Sequence, residues 1–352
     1  MEYYVYRNGN PFGPYDLSDL TSLVKAGKVL KCDKLSSVNT AKEANEFVVV
    51  RDVLDDNNIS VKVDEAGSLM SQLKHISKDL LFPKELKQKE TWKSDTRLLV
   101  LACIGLFPLV AAYFVPSGWL SYYCISLYFS VVWWSFFNYM FKSPQVTAKT
   151  SVTIFFLMQA IVFVAWDAFG LPNLNFFYGA TNQEYPMMFR LIGFIFGVGF
   201  TEEFAKMLPL IWLVKKTKKP LVPQTLVFYG LISGLAFGVY EGVQYQMTEN
   251  IKLDGSERFL MDIARLTSLP FIHAIWCAIG GFFISFAVLY PRYRRALWAL
   301  ALVIPAVLHG IYDTMCGNAL TAIFVALPLC VFCVGLLVHY LKNSGNYQNR
   351  LR

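Results

Sequence analysis

Three apolar stretches of the chain carry pairs of polar or ionisable side chains that are four residues apart. The pairs are Glu202/Lys206, Glu241/Tyr245 and His309/Asp313. Residues four apart lie on the same face of a helix, so both members of each pair would point at the same neighbour. A carboxylate or an imidazole is costly to place inside a bilayer, and within a membrane span it indicates a functional site by default.

Glu203 and His273 extend this set, because Glu203 follows Glu202 and His273 lies near the start of a fourth apolar stretch. Adjacent helical residues point about 100° apart, so we expect one glutamate to face the site and the other to support it. Lys206 could pair with Glu202 and limit the cost of burying that carboxylate. Tyr245 is also typical of the aromatic belt at a membrane interface.

Two histidines with carboxylates suit Zn²⁺, whose catalytic sites keep one position for water.

The composition indicates a membrane protein. Of the 352 residues, 55% are hydrophobic, whereas soluble domains usually contain about 45–50% apolar residues. Most apolar residues follow Arg97, which predicts an all-α polytopic membrane protein with a small α+β domain at its N-terminus. Lys and Arg in the loops account for the formal net charge of +7, so we expect no nucleic-acid partner.

We predict eight transmembrane helices, since eight apolar stretches reach the length of about 18–25 residues that a bilayer requires. Their approximate limits are 98–115, 118–141, 151–170, 187–214, 225–247, 268–290, 296–316 and 319–340. Lys and Arg cluster after every second stretch, so the positive-inside rule places both termini in the cytoplasm. The loop after the fifth stretch, which contains Arg265, is discordant. A helix rises 1.5 Å per residue, so the polar residues of the four helices could lie at the same depth in the bilayer and converge on one pocket.

The sequence divides into four predicted parts. They are an N-terminal domain at 1–55, a polar linker at 56–96, a transmembrane domain at 97–342 and a cytoplasmic tail at 343–352. Within the first part we expect a strand at 3–6, a turn at 8–10, a helix from Asp16 to Gly27 and a closing strand at 47–50. The linker contains a predicted amphipathic helix that could lie on the membrane surface or be solvated.

The N-terminal domain resembles the GYF-like domain of bacterial membrane proteins. The matching residues are Tyr3-Tyr4-Val5, Asn8-Gly9, Gly13-Pro14-Tyr15, Leu20, Leu23 and Gly27. The parent domain's Gly-Tyr-Phe core is changed here, since Gly13 is followed by Pro14-Tyr15. The resemblance therefore implies a docking role with a cytoplasmic protein partner rather than the binding of proline-rich peptides.

The polar motifs of residues 187–316 resemble those of the PrsW family of intramembrane proteases. The motifs are Gly199-Phe200-x-Glu202-Glu203-x-x-Lys206, Gly234-x-x-Phe237 with Glu241-x-x-x-Tyr245, His273 followed by Gly280-Gly281, and His309-x-x-x-Asp313. They occur in the right order on four successive predicted helices. One departure is Gly242, where the family more often has Asn after the glutamate.

The resemblance implies a protease of the bacterial cytoplasmic membrane that cleaves a membrane-anchored protein within or just outside the outer leaflet of the lipid bilayer. The implied catalytic or metal-binding residues are Glu202, Glu203, Glu241, His273 and His309. Glu202 or Glu203 would be the general base. His273 and His309 would be either zinc ligands, together with Glu241, or donors to the oxyanion. Lys206, Tyr245, Glu241 and Asp313 would support them.

Whether a metal is used stays open. The family is similar to the CAAX-processing endopeptidases, in which a glutamate with a histidine is thought to activate water without a metal. Two other classes of function are also open. Intramembrane Glu, His and Asp occur in ion- or proton-coupled transporters, although no internal repeat of the transporter kind is visible. A non-catalytic membrane scaffold is the third possibility.

Overall fold

The computed structural model of the chain describes residues 2–7, 10–37, 47–81, 88, 118–141, 143–217 and 220–351. A small antiparallel sheet lies at the N-terminus, and the described part of the remainder is almost entirely helical. This confirms the predicted fold class.

The N-terminal sheet has four strands in the order β2-β1-β3-β4. They are β1 (Tyr3–Arg7), β2 (Asn10–Tyr15), β3 (Lys34–Ser37) and β4 (Val48–Val49). Helix α1 (Leu17–Lys25) begins after Asp16, whose carboxylate accepts a hydrogen bond from the Asp19 amide at 2.7 Å. Its buried face places Leu20 and Val24 in a core with residues of β1 and β3. Residues 8 and 9 of the predicted turn lie outside the described residues.

Two further helices follow the sheet. Helix α2 (Val50–Asp56) starts where we predicted the end of the closing strand. Helix α3 (Leu69–Leu81) is the predicted amphipathic helix of the linker. Gln72 and Ile76 of α3 are buried, and the Gln72 side-chain oxygen accepts a hydrogen bond from the amide of Ala296. The His75 ring stacks on Tyr293 with 5.2 Å between centroids, so α3 packs on the turn around residue 293.

Six helices of the described residues are long and apolar enough to cross a membrane. They include α4 (Trp119–Met140), α5 (Ala148–Ala168), α7 (Pro223–Thr248), α8 (Gly255–Leu289), α9 (Arg294–Cys316) and α10 (Ala319–Lys342). Helix α6 spans 187–216 and coincides with another predicted span, but Glu202, Glu203 and Lys206 make it more polar. The predicted span at 98–115 lies outside the described residues.

Helix α8 corrects one sequence prediction. We expected a loop from 248 to 267, yet α8 begins at Gly255 and continues through a π-helical segment, Ala264–Ser268. The first turns of α8 are amphipathic rather than apolar, so hydropathy alone does not detect them. Arg265, which we counted as a discordant loop charge, is therefore a helical residue.

A row of glycines lets α7 and α8 pack closely. The row consists of Gly230, Gly234, Gly238 and Gly242. A Cβ atom at Gly234 would lie 2.1 Å from the carbonyl oxygen of His273, and one at Gly242 would lie 2.4 Å from that of Arg265. Small residues allow this approach of helix backbones within membranes. The contact explains Gly242, because an Asn side chain would have no room at that position.

Candidate active site

Four helices bring the predicted site residues together. Helix α6 contributes Glu202, Glu203 and Lys206, α7 contributes Glu241, α8 contributes His273, and α9 contributes His309 and Asp313. Helices α6 and α9 approach closely at Gly199 and Gly310, where a Cβ atom would collide with the opposite backbone. The convergence that the motif spacing predicted is therefore present in the structure.

Lys206 is the central cation of the site, and it is fully buried. Its Nζ lies 2.7 Å from Glu203 Oε1, 3.3 Å from Glu202 Oε2 and 2.7 Å from His273 Nδ1. It also lies over the ring of Phe237, 4.2 Å from the centroid. An ammonium group can only donate hydrogen bonds, so Nδ1 of His273 accepts one. The proton of a neutral His273 is consequently on Nε2.

Glu203 is buried, and one of its carboxylate oxygens has two partners. Its Oε1 contacts Lys206 and also lies 3.0 Å from Nδ1 of His309. Because a carboxylate accepts hydrogen bonds, Nδ1–H of His309 donates to it and Nε2 is left for the site. Only 1% of the Glu203 surface is exposed, against 7% for Glu202. This arrangement suits Glu203 to orient the imidazole and leaves Glu202 nearer to the reacting groups.

Nε2 of His309 faces two carboxylates. It lies 3.3 Å from Asp313 Oδ2 and 3.7 Å from Glu202 Oε2. A lone pair among acceptor oxygens is unfavourable unless a cation, either a second proton or a metal ion, lies between them. Glu202, His273 and His309 each offer a ligand atom within 4.8 Å of the other two. The donor types around Nε2 of His309 therefore fit a divalent metal such as zinc, and His273 would join them only if one of its ring nitrogens were released from its present partner.

Glu241 meets His273 on the other side of the site. Its Oε2 lies 2.6 Å from Nε2 of His273, yet neither atom makes a well-directed hydrogen bond within the described part of the chain. The Glu241 and Asp313 side chains are 19% and 24% exposed, the highest values among the site carboxylates. The site is therefore most accessible along the side that these two residues line.

Trp276 was not identified from the sequence. Its ring stacks on His309 with 4.4 Å between centroids and meets the edge of His273 at 5.3 Å. The indole thus restricts both imidazoles. The sequence contains one indication that Trp276 belongs to the site: it follows His273 by three residues and so lies on the same helix face.

Arg265 is the second residue that sequence reasoning missed as part of the site. Its guanidinium carbon lies 3.5 Å from the ring centroid of Tyr245. Its charge acts on Glu241 and Asp313. Tyr245, which we predicted as a supporting residue, therefore contacts a cation of α8. The sequence signal is the amphipathic pattern upstream of residue 268, which hydropathy alone does not distinguish from a loop.

The fold and the site define a polytopic membrane protein with a buried glutamate–histidine centre. The sequence model of the PrsW family intramembrane metalloproteases matches residues 147–339. This covers more than half of the chain, and the protein belongs to that family. It is an intramembrane protease that acts on a membrane-bound substrate in the lipid bilayer.

Comparison with curated proteins gives a distant relative. The chain is 22% identical to Protease PrsW of Oceanobacillus iheyensis over 209 residues, which cover 59% of this chain and 90% of the relative. No solved structure matches the chain. The N-terminal sheet domain lies outside the residues that match the family, so its likeness to GYF-like domains, like its cytoplasmic partner, stays a prediction.

Proposed function

We propose that this protease hydrolyses a peptide bond of a membrane-anchored protein with Glu202 as the general base. The observation that supports this choice is the unequal pairing of the two glutamates. Glu203 is held by both Lys206 and His309, whereas Glu202 has longer contacts with the same two residues. A base must be free to take a proton from the attacking water, so the less constrained carboxylate suits that role.

The two histidines receive different roles from their hydrogen bonds. His309 donates through Nδ1 to Glu203 and presents Nε2, which suits a metal ligand. His273 accepts through Nδ1 from Lys206 and presents Nε2–H, which suits a donor to the oxyanion of the tetrahedral intermediate. A zinc ion held by His309 with the nearby carboxylates would supply an activated water molecule and polarise the scissile carbonyl.

The proposal is tested on membranes that contain equal amounts of wild type, Glu202→Gln or Glu203→Gln. Protein termini in membranes and medium are labelled and identified. We expect Glu202→Gln to lower the appearance of new termini by about 10²–10⁴-fold, the usual contribution of a general base. Glu249→Gln is the matched control, because Glu249 is exposed and pairs with the likewise exposed Lys252. Cleavage by Glu202→Gln at the wild-type rate would refute the assignment.

The different roles proposed for His309 and His273 are tested by measuring the metal content of the purified protein. We expect His309→Gln to lose bound zinc and His273→Gln to retain it, while both variants lose proteolysis. Loss of zinc from both would instead support His273 as a ligand, with Glu202 or Glu241 as the third. Zinc retained by both would contradict the metal site.

A further inference from the structure

We propose that Arg265 and Tyr245 form a substrate-binding subsite outside the catalytic centre. The guanidinium would bind a carbonyl or carboxylate oxygen of the substrate polypeptide, three or four residues from the scissile bond. The proposal rests on the proposed proteolysis and adds a residue that determines which segment is bound.

The first observation is that the Arg265 guanidinium has no hydrogen-bond acceptor among the described residues. The ring of Tyr245 lies against the flat face of the group, with its centroid 3.5 Å from the guanidinium carbon. A guanidinium carries five N–H donors along its edge, and stacking leaves them all available. Within the described part of the chain, none of its nitrogens is both fully buried and without a partner, so each is at least partly accessible to a ligand.

The second observation is that the backbone of Arg265 is fixed. A Cβ atom at Gly242 would lie 2.4 Å from the Arg265 carbonyl oxygen, so α7 and α8 are in direct contact at this level. Tyr245 lies one turn beyond Glu241 on α7. The Tyr245 ring of α7 thus restricts the guanidinium, and the close contact between α7 and α8 fixes the backbone of Arg265. Such a preorganised donor loses little freedom when it binds.

The third observation is the distance of the subsite from the chemistry. Arg265 precedes His273 by eight residues on α8, which corresponds to at most about 12 Å along the helix axis, because the π-helical segment between them rises less per residue than an α-helix. An extended peptide advances about 3.3 Å per residue. A substrate strand that runs along α8 from the catalytic centre would therefore reach Arg265 after three or four residues.

A simpler role for Arg265 is to balance the charges of Glu241 and Asp313, on which it acts. The two roles differ in what they require. Charge balance is also provided by lysine and is independent of the substrate. Substrate binding depends on the sequence or the backbone of the bound segment, and it needs the forked geometry that only arginine provides.

The experiment uses the full-length protein in membranes with a library of single-span reporter proteins. Four positions are randomised on each side of the cleaved bond, and the cleaved termini are sequenced. Wild type is compared with Arg265→Met, Arg265→Lys and Glu202→Gln. Arg258→Met is the matched control, because Arg258 lies on the same helix and is near Asp262. Thermal unfolding in detergent confirms that each variant is folded.

If the acceptor is a substrate carboxylate, wild type enriches Asp or Glu at one position three or four residues from the bond, and Arg265→Met loses that enrichment. If it is a backbone carbonyl, Arg265→Met lowers kcat/KM by about 10- to 100-fold for all sequences, and Arg265→Lys restores little of it. Unchanged rates and preferences in Arg265→Met would overturn the subsite, as would full rescue by lysine. Cleavage by Glu202→Gln at the wild-type rate would instead refute the proposed function.

Discussion

Lys206 shows how one residue can hold an otherwise unfavourable group of charges. The spacing of four residues in the sequence predicts a pair with Glu202 alone. The structure adds the shorter contact with Glu203 and the contact with His273, which comes from a different helix. Local spacing predicts a partner within a helix, but it cannot predict which residues of other helices share that partner.

We predict that Lys206→Met destabilises the protein by about 3–5 kcal/mol, since it leaves two buried carboxylates without their cation. Unfolding of the purified protein in detergent measures the effect. Lys252→Met is the control, because the exposed Lys252–Glu249 pair should contribute less than about 1 kcal/mol. Adding Glu203→Gln to Lys206→Met should recover part of the loss, and a fully stable Lys206→Met would contradict this account.

A second prediction at this scale concerns Trp276. Trp276→Leu should lower kcat by about 2- to 10-fold with little change in KM, because the lost ring contact no longer restricts His309. Trp276→Phe should retain most of the activity, since it keeps an aromatic ring at the same place. Trp119→Leu, in which a partly exposed ring of α4 is removed, serves as the control. A change confined to KM would show that Trp276 acts on substrate binding instead.

At the scale of the helices, the close packing of α7 and α8 determines whether Glu241 meets His273. We predict that Gly234→Ala destabilises the protein and impairs proteolysis, because the new Cβ atom would collide with the His273 carbonyl. Melting temperature and cleavage rate should both fall.

Gly345→Ala is the matched control for that substitution. Apart from the backbone of its own helix and its chain neighbours, no described atom lies within 4 Å of the position that its Cβ would occupy, so both quantities should stay unchanged. Equal behaviour of the two alanine variants would show that the helix pair can separate without cost.

The helices themselves were largely predictable, but their contacts were not. Long apolar runs located the described membrane helices to within a few residues, apart from the start of α8. There the segment around Arg258 and Arg265 is amphipathic, and it resembles a charged loop when only hydropathy is considered. The glycine row was visible as a spacing of four residues. Its function was not, because that depends on the backbone of the facing helix.

At the scale of the whole molecule, family membership and the long apolar helices establish a multi-pass integral membrane protein. The orientation of its termini is a prediction from the distribution of Lys and Arg. We expect cysteines introduced near residues 2 and 348 to react with a membrane-impermeant reagent only after the membrane is opened. A cysteine near residue 183 should react in intact cells.

Labelling in the opposite pattern would reverse the assigned orientation. The test requires a background in which the native cysteines, including exposed Cys32 and Cys316, are replaced.

The turn between α8 and α9 connects the two helices that carry His273 and His309, and it is held by the N-terminal part of the chain. Arg292 donates to the Ala26 carbonyl at 2.5 Å and accepts from the Ala66 amide through its own carbonyl at 2.7 Å. Arg295 pairs with Glu65 at 3.0 Å. The N-terminal part of the chain therefore binds the turn that connects the two helices with the catalytic imidazoles. Because one turn joins both helices, the residues that hold this turn can change in evolution without any change in the residues of the catalytic site.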